Sequence, residues 1–392
     1  MLFCLLAVLN VAMAHGAEVE LASGGQARMK VVVSPQASDQ TLTAARELAD
    51  YLGRISGATF EVTTGDGQTG LAVGTVTDFP ALNVASQLNT QDIFHAQDYL
   101  LRSHEKGVYL IAAADQGVAL AVWDLLYRLG HRQFFPGPHW EVVPHAPELK
   151  IEVDALLHPD YLNRRIWYGF GNWPELRASR ERWDRRNRTA GGLDIAMGHA
   201  WDSIYRANKA QFDQHPEYLV STHPVKFRID NPGLRQLVID HALKQFEKNP
   251  QLQSISLDPS DGGGWEDAQE AQLFSSVTDR VITLANEVAA AVTQKYPDKF
   301  IGLYAYHEHS PPPSIQVHPR VIIGVATSFI KGGYTVDQLM EGWSKQGATL
   351  GIREYYSVLI SHKDKPGGAP VSDIKSLINN TRRYRRNGAR FI

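Results

Sequence analysis

From about residue 160 onward, short apolar runs alternate with stretches of helical periodicity, and this alternation limits the fold of the 392-residue chain more than any other feature. Eight runs have the length and composition of strands: 165–167, 193–195, 218–220, 254–257, 300–306, 321–326, 349–355 and 389–392. The clearest helices cover 232–248, 274–295, 336–346 and 371–387. The alternation predicts a parallel sheet, and eight strands predict a (β/α)₈ TIM-type barrel. Because no helix follows the eighth run, we expect the barrel to be truncated at its C-terminal end.

The preceding part of the chain has the pattern of a smaller domain. Apolar residues at three- and four-residue steps predict an amphipathic helix that ends at Gly57, and they are Leu42, Ala45, Leu48, Leu52 and Ile55. Alternating runs at 59–64, 70–76 and 99–113 predict strands, and Asp115 is expected to cap a second helix. We therefore expect a small α/β sandwich over 15–155, followed by the barrel over 156–392.

The first 14 residues have the features of a signal peptide. An apolar run too short to span a bilayer ends in the small-x-small pattern Ala12-Met13-Ala14. Cys4 is the only cysteine and lies inside this segment, so the mature chain has no thiol. The sequence therefore predicts an exported protein, periplasmic or extracellular, that does not use thiol chemistry.

Composition and motifs exclude several functional classes. The net charge of −3 provides no basic field for nucleic acid, and no later apolar stretch is long enough for a membrane helix. The glycine-rich segments at 65–70 and 261–265 lack the spacing of a nucleotide site, and no Gly-x-Ser-x-Gly elbow occurs. We expect no cofactor and a carbohydrate as the partner.

Two segments carry a resemblance to known families. Residues 107–137 (GVYLIAAADQGVALAVWDLLYRLGHRQFFPG) resemble the N-terminal domain that precedes the barrel in α-glucuronidases and, more distantly, in β-hexosaminidases. Residues 198–220 and 230–265 resemble the bacterial family of domain of unknown function 4838, which is similar to those enzymes. The resemblance implies a barrel that handles a glycan, possibly an acidic one. Many members of the family carry paired cysteines where this chain has 262–266, GGGWE, so no role of those cysteines is carried over.

Four carboxylates follow predicted strands, at the end where barrel sites lie. Asp258 and Asp261 follow the fourth strand, Glu308 follows the fifth, and Glu354 ends the seventh. Glycoside hydrolysis commonly uses two carboxyl groups, one as acid and one as base or nucleophile. We expect Asp261, or else Asp258, to be the acid, and Glu308 or Glu354 to be the second group. The structural alternatives are a turn residue at either aspartate and an ion pair at Glu354.

Aromatic and polar side chains near the same strand ends are candidates for sugar binding, since sugars stack on rings and bond to neighbouring polar groups. They are Arg165, Trp167, His199, Trp201, Tyr304, Tyr306 and Tyr355. Core packing is the alternative for the rings. Arginines 164, 165, 185 and 188 can include a fork for a uronate, or they can form a solvated basic face. No metal site is expected at His307-Glu308-His309, because adjacent residues of an extended segment point to opposite faces.

These features together predict an exported, glycoside hydrolase-like protein that acts on a glycan, possibly a uronate-bearing one, at the C-terminal face of the barrel. The alternative is a glycan-binding protein without catalysis on the same fold. Two of the four carboxylates lying about 5 to 10 Å apart across an aromatic-lined pocket would favour catalysis.

The signal-peptide hypothesis has a direct test. Mass spectrometry of the natural protein should find a mature N-terminus near His15 and locate the protein outside the cytoplasm. An intact Met1 in the cytoplasmic fraction would contradict export.

Overall fold

A computed structural model describes residues 16–166, 174–189, 192–355 and 373–392. The chain divides into two compact units. The first comprises the residues up to Pro159 together with 166–192, and the second comprises 160–165 and 193–392. The predicted signal peptide and Trp167 lie outside the described residues.

The first unit contains eleven short strands and three helices among its described residues. In chain order they are β1 (Val19–Ser23), β2 (Gln26–Ala27), β3 (Val31–Val33), α1 (Asp39–Ser56), β4 (Val62–Thr64), β5 (Gly70–Thr75), β6 (Tyr99–His104), β7 (Gly107–Ala112), α2 (Asp115–Arg128), β8 (Arg132–Gln133), β9 (Glu141–Val142), β10 (Leu149–Ile151), β11 (Asp154–Leu157) and α3 (Pro174–Arg186). Its main sheet has the order β11-β6-β7-β5-β3-β4. The pairings from β7 through β5 and β3 to β4 are parallel, whereas β6 pairs antiparallel with both β7 and β11.

Both long helices of this unit pack on one face of the sheet. The Ser38 hydroxyl caps α1, and Gly57 ends the helix at a φ of 79°, a left-handed conformation that favours glycine. Buried apolar residues of α1 and α2 form one core with the sheet, while residues of 76–88 cover its other face. Asp115 occupies the first turn of α2 rather than the capping position, which belongs to Ala114.

The first unit includes an arginine-rich helix that the sequence-based boundary near Leu156 assigns to the barrel. Helix α3 lies in this unit because its basic side chains pair with acidic groups there. Arg185 contacts Glu47, and Arg186 donates to Glu141 at 2.9 Å. Just beyond the helix, Arg188 donates to Asp124 at 2.5 Å. Arg185 and Arg188 are thus occupied by structural ion pairs, in place of the uronate fork considered from sequence.

The second unit carries the alternating pattern. Its described elements are α4 (Trp201–Ala207), α5 (Lys209–Gln214), β12 (Leu219–Thr222), β13 (Val225–Phe227), α6 (Pro232–Lys248), β14 (Ser254–Ser256), α7 (Ala268–Leu273), α8 (Val277–Lys295), β15 (Phe300–His307), β16 (Val321–Ile330), α9 (Val336–Lys345), β17 (Thr349–Arg353), α10 (Ile374–Arg386) and β18 (Ala389–Phe391). Strands β14 to β18 form a fully parallel five-stranded sheet in sequential order. The last five predicted strands are therefore present. Among the described residues, no helix is long and apolar enough to span a membrane.

The structure shows no closed (β/α)₈ barrel among the residues that it describes, because the first three predicted strands are not strands of the parallel sheet. Residues 162–165 lie beside β18, where the Arg165 N–H donates to the Ile392 carbonyl at 2.9 Å and Asn163 bridges to Phe391, and His199 makes an isolated bridge to Asp258. The third predicted strand, β12, pairs antiparallel with β13 in a separate hairpin. Residues 189–222 are rich in loop-forming residues, and the backbone beside β14 is held by side chains instead, such as Ser254, whose hydroxyl accepts from the Ala196 N–H at 2.6 Å.

The network around Glu141 gives a stability prediction. Burial alone would raise the pKa of Glu141, but hydrogen bonds from Arg54, Tyr51 and His131 and the charge of Arg186 lower it to about 2. Because this pKa lies below the ordinary value of 4.5, the stabilisation is present above about pH 4.5 and is lost as the pH falls toward 2. Glu141→Gln should cost about 3 kcal/mol of unfolding free energy at pH 7. As the pH falls below about 4.5, the unfolding free energy of this variant should decrease less than that of the wild type.

Urea denaturation at several pH values measures this effect. Glu105→Gln, in the exposed turn between β6 and β7, is the matched control and should behave as the wild type. If the unfolding free energy of Glu141→Gln decreased on acidification by as much as that of the wild type, the network would not stabilise the unit.

Candidate functional site

The C-terminal edge of the five-stranded sheet carries a local distortion that shapes a candidate site. Strands β15 and β16 pair regularly up to Ala305 and Val325, and the next pair is His307 with Ile330. The intervening residues of β16 therefore bulge out of the sheet. His307 and Phe329 both adopt left-handed backbone conformations, with φ values of 51° and 61°. Such conformations cost about 1–3 kcal/mol each in residues other than glycine and cluster at functional sites, as bulges do.

The bulge brings three aromatic rings into a row along this edge. The ring centroids of Tyr306 and Phe329 lie 5.4 Å apart, and those of Phe329 and Tyr355 lie 6.0 Å apart. His199 extends the row from the other side, with its ring 6.1 Å from Tyr306. Phe329 is 42% exposed, although it is large and apolar. A partly exposed row of rings beside polar groups is the composition of a ligand-binding strip.

Asp258 is a buried anchor for this edge. One carboxylate oxygen accepts the Gly198 N–H at 2.6 Å and the Ser256 hydroxyl at 3.1 Å, and the other accepts the Tyr304 N–H at 2.5 Å. Its backbone carbonyl accepts from the N–H groups of Ala200 and Trp201. Burial raises the pKa of this carboxyl against the opposing effect of those donors. The side chain is enclosed and fully bonded, so the structure gives Asp258 a positioning role in place of the acid role considered from sequence.

Asp261 reaches solvent at the same edge. Its side chain is 60% exposed and lies 4.0 Å from Nε2 of His199. Nδ1 of His199 bonds the Pro259 carbonyl at 2.8 Å, which leaves Nε2 directed at the carboxylate. Burial, the charge of Asp261 and a hydrogen bond to it raise the pKa of Tyr306 to about 12, so the tyrosine is a protonated donor at neutral pH. Asp261 and the two predicted sugar-binding residues His199 and Tyr306 are therefore brought together.

Lys226 lies beneath this group and was not selected from sequence. Its side chain is fully buried, its ammonium contacts the Ser260 carbonyl, and it lies 5.0 Å from the centroid of Trp265. Burial lowers the pKa of Lys226 to about 8, while the negative charges of Asp261 and Asp202 limit the shift. Among the described residues this ammonium has no salt bridge at 4.0 Å or less, which is rare for a buried charge.

His309 is the second buried titratable group here. Burial, assisted by the charge of Lys226, lowers the pKa of His309 to about 3, so this imidazole is neutral under ordinary conditions. Its ring lies 6.4 Å from that of Tyr306 and 6.2 Å from that of Trp265. The two buried bases, one charged and one neutral, form the floor under the exposed Asp261.

The remaining two candidate carboxylates differ in accessibility. Glu308 is 39% exposed and lies 3.3 Å from the Lys331 ammonium and 3.7 Å from Nδ1 of His307. Glu354 accepts the Thr327 hydroxyl at 2.6 Å, the Tyr355 N–H at 2.9 Å and the Tyr384 hydroxyl at 2.5 Å. The hydrogen bond and charge of Glu354, together with burial, raise the pKa of Tyr384. Glu354 thus fixes the end of β17, whereas Glu308 remains accessible.

The other predicted binding residues divide between the site and the core. The Arg353 guanidinium lies 5.8 Å from the Tyr304 ring and 5.5 Å from the Tyr355 ring, and Arg165 is an exposed neighbour whose charge acts on Tyr304. Trp201 is instead a core residue. It is fully buried, its indole N–H donates to the Leu257 carbonyl at 2.9 Å, and its ring stacks on Phe227 at 4.6 Å.

Sequence reasoning missed Lys226 and Phe329 for understandable reasons. Lys226 belongs to β13, which is outside the parallel sheet, so no rule about strand ends selects it. Phe329 looks like one more apolar residue of β16, and only the bulge turns it outward. The available signal was a lysine between the apolar residues Val225 and Phe227.

The fold and site define an α/β protein with a mixed aromatic and charged strip at the C-terminal edge of a parallel sheet. Residues 135–390 match the family model Domain of unknown function (DUF4838). The chain belongs to this family, as the sequence resemblance predicted. No curated protein matches the chain.

Several glycoside hydrolases of known structure are similar to the chain at low identity. A family GH115 4-O-methyl-α-glucuronidase with specificity for decorated arabinogalactans is 13% identical, at a TM-score of 0.47, over 85% of this chain and 49% of its own. The chain therefore spans about half the length of that protein. The Streptomyces plicatus N-acetyl-β-hexosaminidase is 14% identical, at a TM-score of 0.44, over 87% of this chain and 73% of its own.

The contrast between the two aspartates gives a stability prediction. Asp258→Asn places an NH₂ group where the carboxylate meets N–H donors, so it should cost about 2–3 kcal/mol of unfolding free energy. Asp261→Asn, at an exposed side chain of the same loop, should change it by less than about 0.5 kcal/mol. Denaturant unfolding of both variants measures the difference, and equal losses would show that Asp258 is not an anchor.

Proposed function

We propose that the protein acts on a glycan at the C-terminal edge of its five-stranded sheet, by glycoside hydrolysis. The observation that carries the proposal is the row of rings Tyr306, Phe329 and Tyr355, with the exposed carboxylate of Asp261 beside Tyr306 and the exposed Glu308 two residues further along the chain. Rings of this kind stack on the apolar faces of sugars, and two carboxyl groups are the usual catalytic equipment for glycosidic bonds. Export to the periplasm or the cell exterior, where such glycans are met, is part of the proposal.

Asp261 and Glu308 are the catalytic pair in this proposal, because both side chains reach solvent. Asp261 lies 4.0 Å from Nε2 of His199, and in this proposal it acts as the base or the nucleophile. This differs from the acid role expected from sequence. Glu308 is then the proton donor. Its partner Lys331 is itself 46% exposed, so a bound glycan can displace the ammonium and exclude water from the carboxyl.

The positive groups along the edge support an acidic sugar as the substrate. The Arg353 guanidinium lies over the rings of Tyr304 and Tyr355, and the Lys331 ammonium, on a side chain that is 46% exposed, lies beside Glu308. A uronate carboxylate is matched by guanidinium and ammonium donors, whereas a neutral sugar gains little from them. The proposed substrate class is therefore a uronate-bearing glycan.

A glycan-binding protein without catalysis is the second candidate, and one observation favours it. Both candidate carboxylates already have partners in the protein alone, since Glu308 lies 3.3 Å from the Lys331 ammonium and Asp261 lies 4.0 Å from Nε2 of His199. If the ligand leaves those contacts in place, the same strip binds a glycan and does not cleave it.

An activity screen on a glycan panel that includes uronate-bearing oligosaccharides tests the proposal. The wild type should cleave at least one uronate-bearing member, and Asp261→Asn and Glu308→Gln should each lower turnover by about 100-fold or more. Glycan affinity, measured by calorimetry, should change much less in either variant, because the rings remain.

Asp298→Asn is the matched control, since this exposed aspartate precedes the opposite end of β15 and should keep full activity. Binding without cleavage by the wild type would support the second candidate. Full turnover in both site variants would reject the assigned pair.

A further inference from the structure

A group of two histidines and one aspartate in the first unit lies apart from the strip described above. His95 ends a short 3₁₀ turn that comprises Ile93–His95, Asp98 directly precedes β6, and His158 directly follows β11. The backbone around Asp98 is fixed, because its N–H donates to the His95 carbonyl at 2.9 Å and its carbonyl accepts the Ala113 N–H at 2.8 Å. Asp98 is thus held between His95, three residues before it, and His158, 60 residues after it.

The geometry of this group is that of converging ligands. Nδ1 of His95 lies 2.7 Å from one Asp98 oxygen, and Nδ1 of His158 lies 2.5 Å from the other. One potential ligand atom from each residue lies within 4.8 Å of the other two, and the two imidazole rings are 4.7 Å apart. Metal–ligand distances of about 2.1 Å put tetrahedral ligands about 3.4 Å apart, so small rotations of the two rings suffice to close the site.

We propose that His95, Asp98 and His158 bind one divalent transition-metal ion of the zinc type. Two imidazoles and a carboxylate suit such ions, whereas magnesium and calcium prefer oxygen ligands alone. The two histidine side chains are 35% and 32% exposed, so the ion has an entry path and a position open to water. Binding forms bonds from the ion to the two Nδ1 atoms and one Asp98 oxygen, and each Nδ1 proton that now bridges to Asp98 moves to Nε2 of its own ring, so both imidazoles stay neutral.

Asp92 supports the orientation that this coordination requires. One of its oxygens lies 4.0 Å from Nε2 of His95, on the side of the ring opposite the ligand atom, and the other accepts the Phe94 N–H at 2.9 Å. A carboxylate behind the distal nitrogen of a histidine fixes the ring and increases its basicity toward a metal.

The bound ion joins the turn before β6 to the end of β11, which is an edge strand of the main sheet and pairs with β6. Its role is therefore to fasten that edge.

The test uses the full chain freed of metal by a chelator and titrated with zinc chloride, with cobalt(II) as a spectroscopic probe. One ion should bind per chain, and cobalt should show the visible absorption of a four-coordinate site. His95→Gln, His158→Gln and Asp98→Asn should each weaken zinc binding by about 100-fold or more. His145→Gln, at an exposed histidine between β9 and β10, is the matched control and should bind as the wild type does.

A thermal melt separates loss of binding from loss of folding. Excess zinc should raise the melting temperature of the wild type and of His145→Gln by about 5 °C or more and should leave that of His95→Gln unchanged. His95→Gln is the decisive variant. The His95 side chain is half-buried, so the variant protein is expected to fold without metal. Failure of the wild type to bind zinc, or equal binding by His95→Gln and the wild type, would overturn the proposal.

Discussion

The carboxylate of Asp258 is the contact on which the arrangement of the candidate site depends. It joins the loop before α4, the end of β14 and the middle of β15 through two backbone N–H groups and one hydroxyl. The segments at β14 and β15 belong to the parallel sheet, whereas the loop before α4 only bridges to it. The Asp258 carboxylate therefore makes hydrogen bonds in place of those that a regular neighbouring strand would form. Asp258 fixes the loops that carry His199 and Asp261. Because the Asp258 carboxylate takes the buried position, the side chains of His199 and Asp261 reach solvent.

The same edge combines stability with local strain. Residues beneath it are buried and mostly apolar, and Lys226 and His309 are two of the titratable groups placed among them. Above them, His307 and Phe329 hold left-handed conformations that a purely structural sheet end has no need of. A bulge, a buried ammonium and an exposed ring at one place are each costly, and such costs are expected at functional sites.

The sequence predicted the parts of the fold that depend on strong periodicity. Strands β14 to β18 and the long helices between them follow from apolar runs and repeats, and α6 matches its predicted bounds. The barrel prediction failed where the chain lacks such patterns, because hydrogen bonds from side chains such as Ser254 hold the segment near 193–199. The boundary near Leu156 differs from the observed units because ion pairs, which leave no periodic trace, hold α3 to the first unit.

For the site, the rule that parallel strands present functional groups at their C-terminal ends selected the edge where the candidate site lies. It could not separate Asp258 from Asp261, since burial is decided by partners more than 40 residues away, such as Gly198 and Tyr304. The most direct test of the account is the crystal structure of the protein soaked with a uronate-bearing oligosaccharide. The account predicts a sugar ring stacked on Tyr306 or Phe329, with Asp261 and Glu308 flanking a glycosidic oxygen. A glycan bound at another surface, with this strip covered by ordered water alone, would contradict it.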